Sequence, residues 1–287
     1  MRHAFDVTDP AMNDPGPTAR PLRSLILFAA FAYGITWSAW GCAVLFFPDE
    51  TRLELMILGG LGPLIAAVLV SAIEGGKTEV LRLFKQLTVR PSLGLMAFWL
   101  TLIAILRLLP ISLVLITGHG TAPVGMETFL SLPFTFLFVA LVGGGLDEEV
   151  GWRGFAQPRL QMLVPALPAS LIIGLVWSLW HWPLWLLPGA VHSQLSLPIY
   201  IVSTTALSVL LAHIFNSARG GLLAVVLVHA ASNTADNLRY AFTGARNDAA
   251  LMLPLQLALA LTMVAAATVL VLAARGRLRP ESQARAA

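Results

Sequence analysis

Long apolar runs are the feature that most constrains how this chain can fold. A helix needs about 20 residues to cross the apolar core of a bilayer, and apolar runs long enough to do so recur through the sequence. Each run is therefore a candidate transmembrane helix. The runs lie approximately at residues 22–47, 53–73, 93–117, 128–155, 167–187, 197–215, 221–241 and 251–274.

The low charge content supports a membrane location. Of the 287 residues, 57% are hydrophobic and 11% are charged, whereas a soluble domain has about 25% charged residues. A soluble chain of this length needs more polar groups to cover its surface, so the composition excludes an ordinary cytosolic enzyme and a disordered chain. The single cysteine, Cys42, excludes a disulfide scaffold. We therefore predict an all-α, polytopic membrane helix bundle of about eight transmembrane helices in the cell membrane.

The positions of Lys and Arg predict the orientation of the bundle. Loops on the cytoplasmic side of a membrane are enriched in these residues, and most of the 18 lie in segments that share a side with the N-terminus. Both termini are therefore expected to be cytoplasmic, and the basic balance reflects topology rather than binding to nucleic acid. We predict a disordered cytoplasmic tail at 1–20, a transmembrane domain at 21–275 and a basic cytoplasmic tail at 276–287.

An acidic cluster follows the apolar part of the fourth run, in the segment DEEVGWRGF at residues 147–155. Ionisable groups at membrane depth are costly, so each is a candidate functional residue. If the helix continues through the segment, Glu149 and Arg153 are four residues apart and can pair along it. Glu148 has no cation at that spacing, and an apolar environment beside a like charge makes it a stronger proton acceptor. The alternative is a hydrated acidic cluster at a helix end.

A single histidine stands among four tryptophans in VWSLWHWPLW, residues 176–185. Tryptophan is common at the membrane interface, and this is the simplest interpretation of Trp180, Trp182 and Trp185. His181 is either a structural residue or a catalytic one. Pro183, two residues later, can kink the helix and free a backbone carbonyl.

Two polar residues of the seventh run share one helix face. His229 and Asn233 are four residues apart, which fits either a functional site or an interhelical hydrogen-bond clamp. Asp236 and Arg239 continue the polar character toward the outer end of the run. Arg107, inside the third run, is expected to pair with a carboxylate or with a free backbone carbonyl.

Together, these three motifs resemble those of the CPBP family, which includes the type II CAAX prenyl endopeptidases and the bacterial Abi, or bacteriocin-processing, proteins. The resemblance covers approximately residues 128–237 and rests on E-E-x-x-x-R, aromatic-x-x-x-H and H-x-x-x-N in that order. The matching residues are Glu148, Glu149, Arg153, Trp177, His181, His229 and Asn233. The family usually has Phe where this chain has Trp177, and both side chains are aromatic packing groups.

The resemblance implies an intramembrane peptidase that hydrolyses a membrane-associated protein or peptide. It implies that Glu148 and His181 activate the attacking water, and that His229 and Asn233 stabilise the oxyanion. The other three matching residues support the structure in this interpretation. No cofactor is expected for this glutamic type of hydrolysis.

Three alternatives stay open at this point. Glu148, His181 and His229 could hold a divalent metal such as zinc, although the sequence has no H-E-x-x-H motif. A non-catalytic membrane scaffold or a bacteriocin-immunity protein is compatible with the same motifs. A proton- or ion-coupled transporter fits less well, because its candidate relay residues all lie in the C-terminal half, namely Glu148, His181, His229 and Asp236. The expected partners are the bilayer and a membrane protein or peptide substrate, and the resemblance does not extend to prenylated substrates.

Overall fold

The computed structural model describes residues 20–47, 52–118, 122–187, 190–276 and 278. Within these residues the chain forms helices and turns, and it has no strand. The helices are α1 (Pro21–Phe46), α2 (Arg52–Gly60), α3 (Gly62–Lys85), α4 (Leu93–Leu108), α5 (Ile111–Ile116), α6 (Met126–Val142), α7 (Leu146–Glu149), α8 (Gln157–Leu160), α9 (Ala166–Trp180), α10 (Leu197–Ser217), α11 (Leu222–Thr243) and α12 (Ala249–Ala273). The predicted all-α class is confirmed.

The two predicted tails lie almost wholly outside the described residues. Of residues 1–20 the structure describes Arg20, and of residues 276–287 it describes Gly276 and Leu278. Both tails, together with the domain boundaries, stay predictions.

Six helical segments among the described residues are long and apolar enough to cross a membrane. They are Pro21–Phe46, Leu93–Ile116, Met126–Leu160, Ala166–Leu186, Leu197–Ser217 and Ala250–Ala273. The count rises to seven if α2 and α3, which are bent by 43° at their junction, form one span. The predicted count of eight is not confirmed, because α11 carries polar side chains through its second half and is not among these segments. The chain is a multi-pass membrane protein.

Two helices, α10 and α11, pass through the centre of the bundle. Helix α10 packs against α9, α11 and α12, while α11 also packs against α4 and α6. Both helices bury side chains on most sides, as a helix does when neighbours surround it. The outer helices expose large apolar side chains such as Leu93 and Phe134, which suits contact with lipid.

Polar contacts gather the predicted cytoplasmic segments at one end of the bundle. The hydroxyl of Ser24, at the start of α1, donates to the carboxylate of Glu74 in α3. The same carboxylate accepts a hydrogen bond from Arg159 Nη2 at 3.0 Å. At the end of α10, Asn216 Nδ2 donates to the carbonyl of Leu278 at 3.1 Å. The loops predicted to share a side therefore meet, while the side of the membrane that they face stays a prediction.

Cysteine labelling tests the predicted orientation. In a Cys42→Ser background, Lys77→Cys and Arg246→Cys place single thiols at exposed positions in loops predicted to face opposite sides. Because both termini are predicted to be cytoplasmic, a membrane-impermeant maleimide should label Arg246→Cys in sealed right-side-out vesicles. It should label Lys77→Cys only after the vesicles are opened. The reverse pattern would show that the bundle has the opposite orientation.

Candidate active site

The fourth predicted span is broken at the glycine run of residues 143–145. Helix α6 ends at Val142, and α7 begins at Leu146. Between them, Gly144 has a φ of +114°, a conformation that residues with a side chain rarely adopt. A π-helical turn, Val150–Ala156, then leads into α8. The helix therefore does not continue unbroken from the apolar run into the acidic cluster, and all three acidic residues of α7 are buried.

Gly144 brings the backbone against two of the candidate residues. A Cβ at this position would lie 2.8 Å from Asn233 Nδ2 and 2.9 Å from His229 Nε2, which leaves no room for a side chain. The Gly144 amide donates to Asp147 Oδ1 at 2.9 Å and so fixes the loop. Neither Gly144 nor Asp147 is among the residues predicted from the sequence. The glycine run directly before the acidic cluster is the sequence feature that could have predicted this close approach of the Gly144 backbone to α11.

Glu148 forms part of the wall of a cavity of about 440 Å³. Its Oε2 accepts a hydrogen bond from Trp177 Nε1, and its Oε1 lies 3.9 Å from His181 Nε2. That separation is too long for a direct hydrogen bond, but one water molecule can bond to both atoms. The structure thus brings the candidate carboxylate and the candidate imidazole together.

The end of α9 sets the position of His181 and its tautomer. The helix ends at Trp180, and a 3₁₀ turn over Trp182–Leu186 follows, in which Pro183 has no N–H to continue the α-helix. His181 Nδ1 lies 2.9 Å from the carbonyl oxygen of Trp177. In the neutral ring Nδ1 therefore carries the proton, and Nε2 is left to accept one.

Trp180 belongs to the core rather than to the membrane interface. It is 1% exposed, and its Nε1 donates to Thr36 Oγ1 at 2.9 Å. Its ring packs edge-on against His181, with the ring centroids 4.6 Å apart. The interfacial interpretation of Trp180 is wrong, because Trp40 of α1 and Trp152 of the π-helical turn pack against the indole.

Glu149 connects the first motif with the third. Its Oε1 accepts a hydrogen bond from Arg153 Nη1 at 3.1 Å, so the predicted pairing along the helix is confirmed. The same oxygen lies 2.6 Å from His229 Nδ1, which donates to it. All three side chains are buried. Because Nδ1 is held by the carboxylate, the Nε2 atom of His229 is the one presented to the cavity.

Asn233 completes the group from α11. Its Nδ2 donates to the Gly143 carbonyl at 3.1 Å and lies 3.3 Å from His229 Nε2. Glu148 and His181 line the same cavity as these two residues of α11. The four residues predicted as catalytic therefore converge on one cavity, although three separate segments supply them.

The residues present fit a metal ion poorly. Within the described part of the chain, no group of three or more His, Cys, Asp or Glu side chains has a metal-binding arrangement. Of the alternative ligands, Glu148 and His181 are neighbours. Both ring nitrogens of His229, however, already face other partners, Glu149 and Asn233.

The fold and the cavity define a class, a polytopic helical membrane protein with a buried carboxylate and imidazoles at one site. Residues 130–235 match the family model described as type II CAAX prenyl endopeptidase Rce1-like. The chain is also 46% identical over 48 residues to CAAX prenyl protease 2 of Methanococcus maripaludis. Residues 130–235 are therefore similar to the family that the three motifs predicted.

Both matches are partial. The family match includes all three motifs, since they lie between residues 130 and 235. The stretch shared with the archaeal relative covers 17% of this chain and 17% of that relative. The family match thus characterises the segment that carries the three motifs rather than the whole chain.

Arg153→Met should destabilise the protein strongly, because it leaves the Glu149 carboxylate buried without its cation. Breaking a buried ion pair in this way costs about 3–5 kcal/mol. The partly exposed pair between Arg82 and Glu79 provides a control, since such pairs contribute about 0–1 kcal/mol. Thermal unfolding in detergent should show a much larger fall in Tm for Arg153→Met than for Arg82→Met. Equal falls would mean that the buried pair is not a major stabilising contact.

Proposed function

We propose that the chain is an intramembrane peptidase that hydrolyses a peptide bond of a membrane-associated protein or peptide. The observation that carries the proposal is the 3.9 Å approach of Glu148 Oε1 to the proton-free Nε2 of His181 on the cavity wall. His229 and Asn233 line the same cavity. Peptide hydrolysis needs a base for water and fixed donors for the oxyanion, and the family match supports this class of reaction.

Glu148 and His181 activate the attacking water in this proposal. A water that donates one hydrogen to Glu148 Oε1 and the other to His181 Nε2 keeps its lone pairs free to attack the substrate carbonyl carbon. As the C–O bond forms, Glu148 takes a proton from the water. The indole of Trp177 holds the other carboxylate oxygen and so fixes the orientation of the base.

His229 and Asn233 stabilise the oxyanion of the tetrahedral intermediate. The imidazolium form of His229, which keeps its proton throughout the reaction, donates through Nδ1 to its counter-ion Glu149 and through Nε2 to the oxyanion. One N–H of the Asn233 amide donates to the Gly143 carbonyl. The other lies on the side of His229 Nε2 and turns to the oxyanion when that nitrogen carries a proton and no longer accepts. Fixed donors in a site that excludes water stabilise developing charge more than bulk water does.

The proton on Glu148 completes the reaction. When it passes to the nitrogen of the scissile bond, the C–N bond breaks and the amine fragment leaves. The other fragment leaves as a carboxylic acid, and the site is restored once a new water binds. No step requires a group that the described side chains, the substrate and water do not supply.

Glu148→Gln should lower kcat/KM by about 100-fold or more, because the amide keeps the shape of the side chain but cannot take the proton from water. Glu127→Gln is the matched control, since Glu127 is exposed at the start of α6 and outside the cavity. The purified proteins are incubated with synthetic membrane-associated peptides, and mass spectrometry identifies the products. Cleavage by Glu148→Gln at the rate of the unmodified protein would show that Glu148 is not the base.

Chelation separates the proposed mechanism from the metal-dependent alternative. The metal-free mechanism predicts that EDTA leaves the cleavage rate unchanged, and calcium-saturated EDTA controls for effects of the chelator itself. If EDTA alone abolishes cleavage and added zinc restores it, Glu148, His181 and His229 act as metal ligands instead. Measurement of the bound metal before and after treatment links the activity to the ion.

A further inference from the structure

The cavity that holds Glu148 has a basic end that the proposed reaction does not use. Three arginines line the cavity, namely Arg107, Arg239 and Arg246. The carboxylate that pairs with the first two is Asp236. A cavity with carboxylates in one part and arginines in another can orient a ligand along its length.

Asp236 lies between two of these arginines. Arg107 Nη1 donates to Asp236 Oδ2 at 3.0 Å, as expected for an arginine inside a span, and its Nε donates to Ser232 Oγ at 2.7 Å. On the other side, Arg239 Nη2 lies 3.2 Å from Asp236 Oδ1. Two guanidinium groups share one carboxylate, so the cluster keeps a net positive charge.

Arg239 is buried with part of its guanidinium group unsatisfied. Its side chain is 1% exposed, and among the described residues its Nε and Nη1 atoms have no hydrogen-bond partner. A buried charged donor without an acceptor is unfavourable. Because Arg239 lines the cavity, an acceptor that enters the cavity can supply the missing partner. Arg246, by contrast, is exposed and donates to Asn237 Oδ1 at 2.7 Å.

We propose that Arg239, together with Arg107, forms a subsite that binds a carboxylate of the peptide in the cavity; this inference rests on the proposed function. Guanidinium groups suit carboxylates because their planar, always charged N–H donors match the geometry of the two carboxylate oxygens. The carboxylate comes either from the C-terminus of the peptide or from an acidic side chain, since both present the same group.

The helix sets the distance between this subsite and the reacting bond. Asp236 is seven residues beyond His229 on α11, so it stands two turns, or about 10 Å, along the same face. A peptide whose carboxylate reaches Arg239 extends along this face, with an upstream carbonyl group beside His229. Arg239 and Arg107 therefore position the substrate and take no part in the chemistry.

Peptide binding to the full-length protein tests the subsite. A Glu148→Gln background is used because cleavage is expected to be slow in it, and fluorescence anisotropy in detergent measures Kd. The probe is an apolar octapeptide with a fluorescent label at its N-terminus. It is used in three forms, with a free C-terminal carboxylate, with a C-terminal amide, and with a C-terminal amide after a final Asp. Arg239→Gln removes the charge from the cavity, and Arg82→Gln is the matched control at a position outside it.

In the Glu148→Gln parent, the Kd of the free-acid peptide should be at least about tenfold lower than that of the amide, because its carboxylate gains a hydrogen bond from the charged Arg239. Arg239→Gln should remove this preference and leave the affinity for the amide unchanged, whereas Arg82→Gln should preserve it. If the peptide ending in Asp binds like the free acid, an acidic side chain is accepted. If it binds like the amide, the subsite is specific for a chain terminus.

Two results would overturn the subsite: equal affinity of the parent for acid and amide, or an equal loss for both peptides in Arg239→Gln. The first of these results is measured in the Glu148→Gln parent alone, so it does not depend on whether Arg239→Gln folds. The unmodified protein is also tested for cleavage of the same peptides. If it cleaves none of them while the Glu148→Gln parent still prefers the acid, the result contradicts the proposed function but supports the subsite.

Discussion

The buried carboxylate of Glu149 is the contact on which the rest of the site depends. A lone carboxylate in an apolar interior is strongly unfavourable, and this one accepts from Arg153 on its own segment and from His229 on α11. The contact ties the π-helical turn to α11 and selects the His229 nitrogen that faces the cavity. The Arg153 guanidinium carbon also lies 4.5 Å from the centroid of the Trp177 ring. All three motifs therefore meet at one ion pair.

Two adjacent glutamates have different environments because successive helical residues point about 100° apart. Glu149 points toward a cation and an imidazole, and its charge is compensated within the protein. Glu148 points toward the cavity, where the indole of Trp177 is its hydrogen-bond donor. A carboxylate that lacks a cation in direct contact keeps its capacity to accept a proton, which suits the role proposed for Glu148. The same rotation explains why one of the pair is held by Arg153 and His229 while the other faces the cavity.

Helix α11 shows how a functional site competes with the requirements of the membrane. Its first half is apolar, but its second half carries Asn233, Asp236 and Arg239. Polar groups of this kind are costly in lipid, and here the neighbouring helices α4, α6 and α10 surround them. The polar residues consequently line a cavity inside the bundle. This arrangement is why a helix essential to the site does not itself qualify as an apolar span.

Local features of the sequence determined the all-α class, the multi-pass character and the pairing of Glu149 with Arg153, because these depend on apolar run length and on helical periodicity. The three motifs also predicted which side chains share the cavity. Sequence did not predict the break at Gly144 or the burial of Trp180, since both follow from contacts with helices distant in the chain. Nor could it predict which carboxylate Arg107 meets, because Arg107 and Asp236 are 129 residues apart. Periodicity fixes which residues lie on one helix face, and only the packing of the helices decides what each face meets.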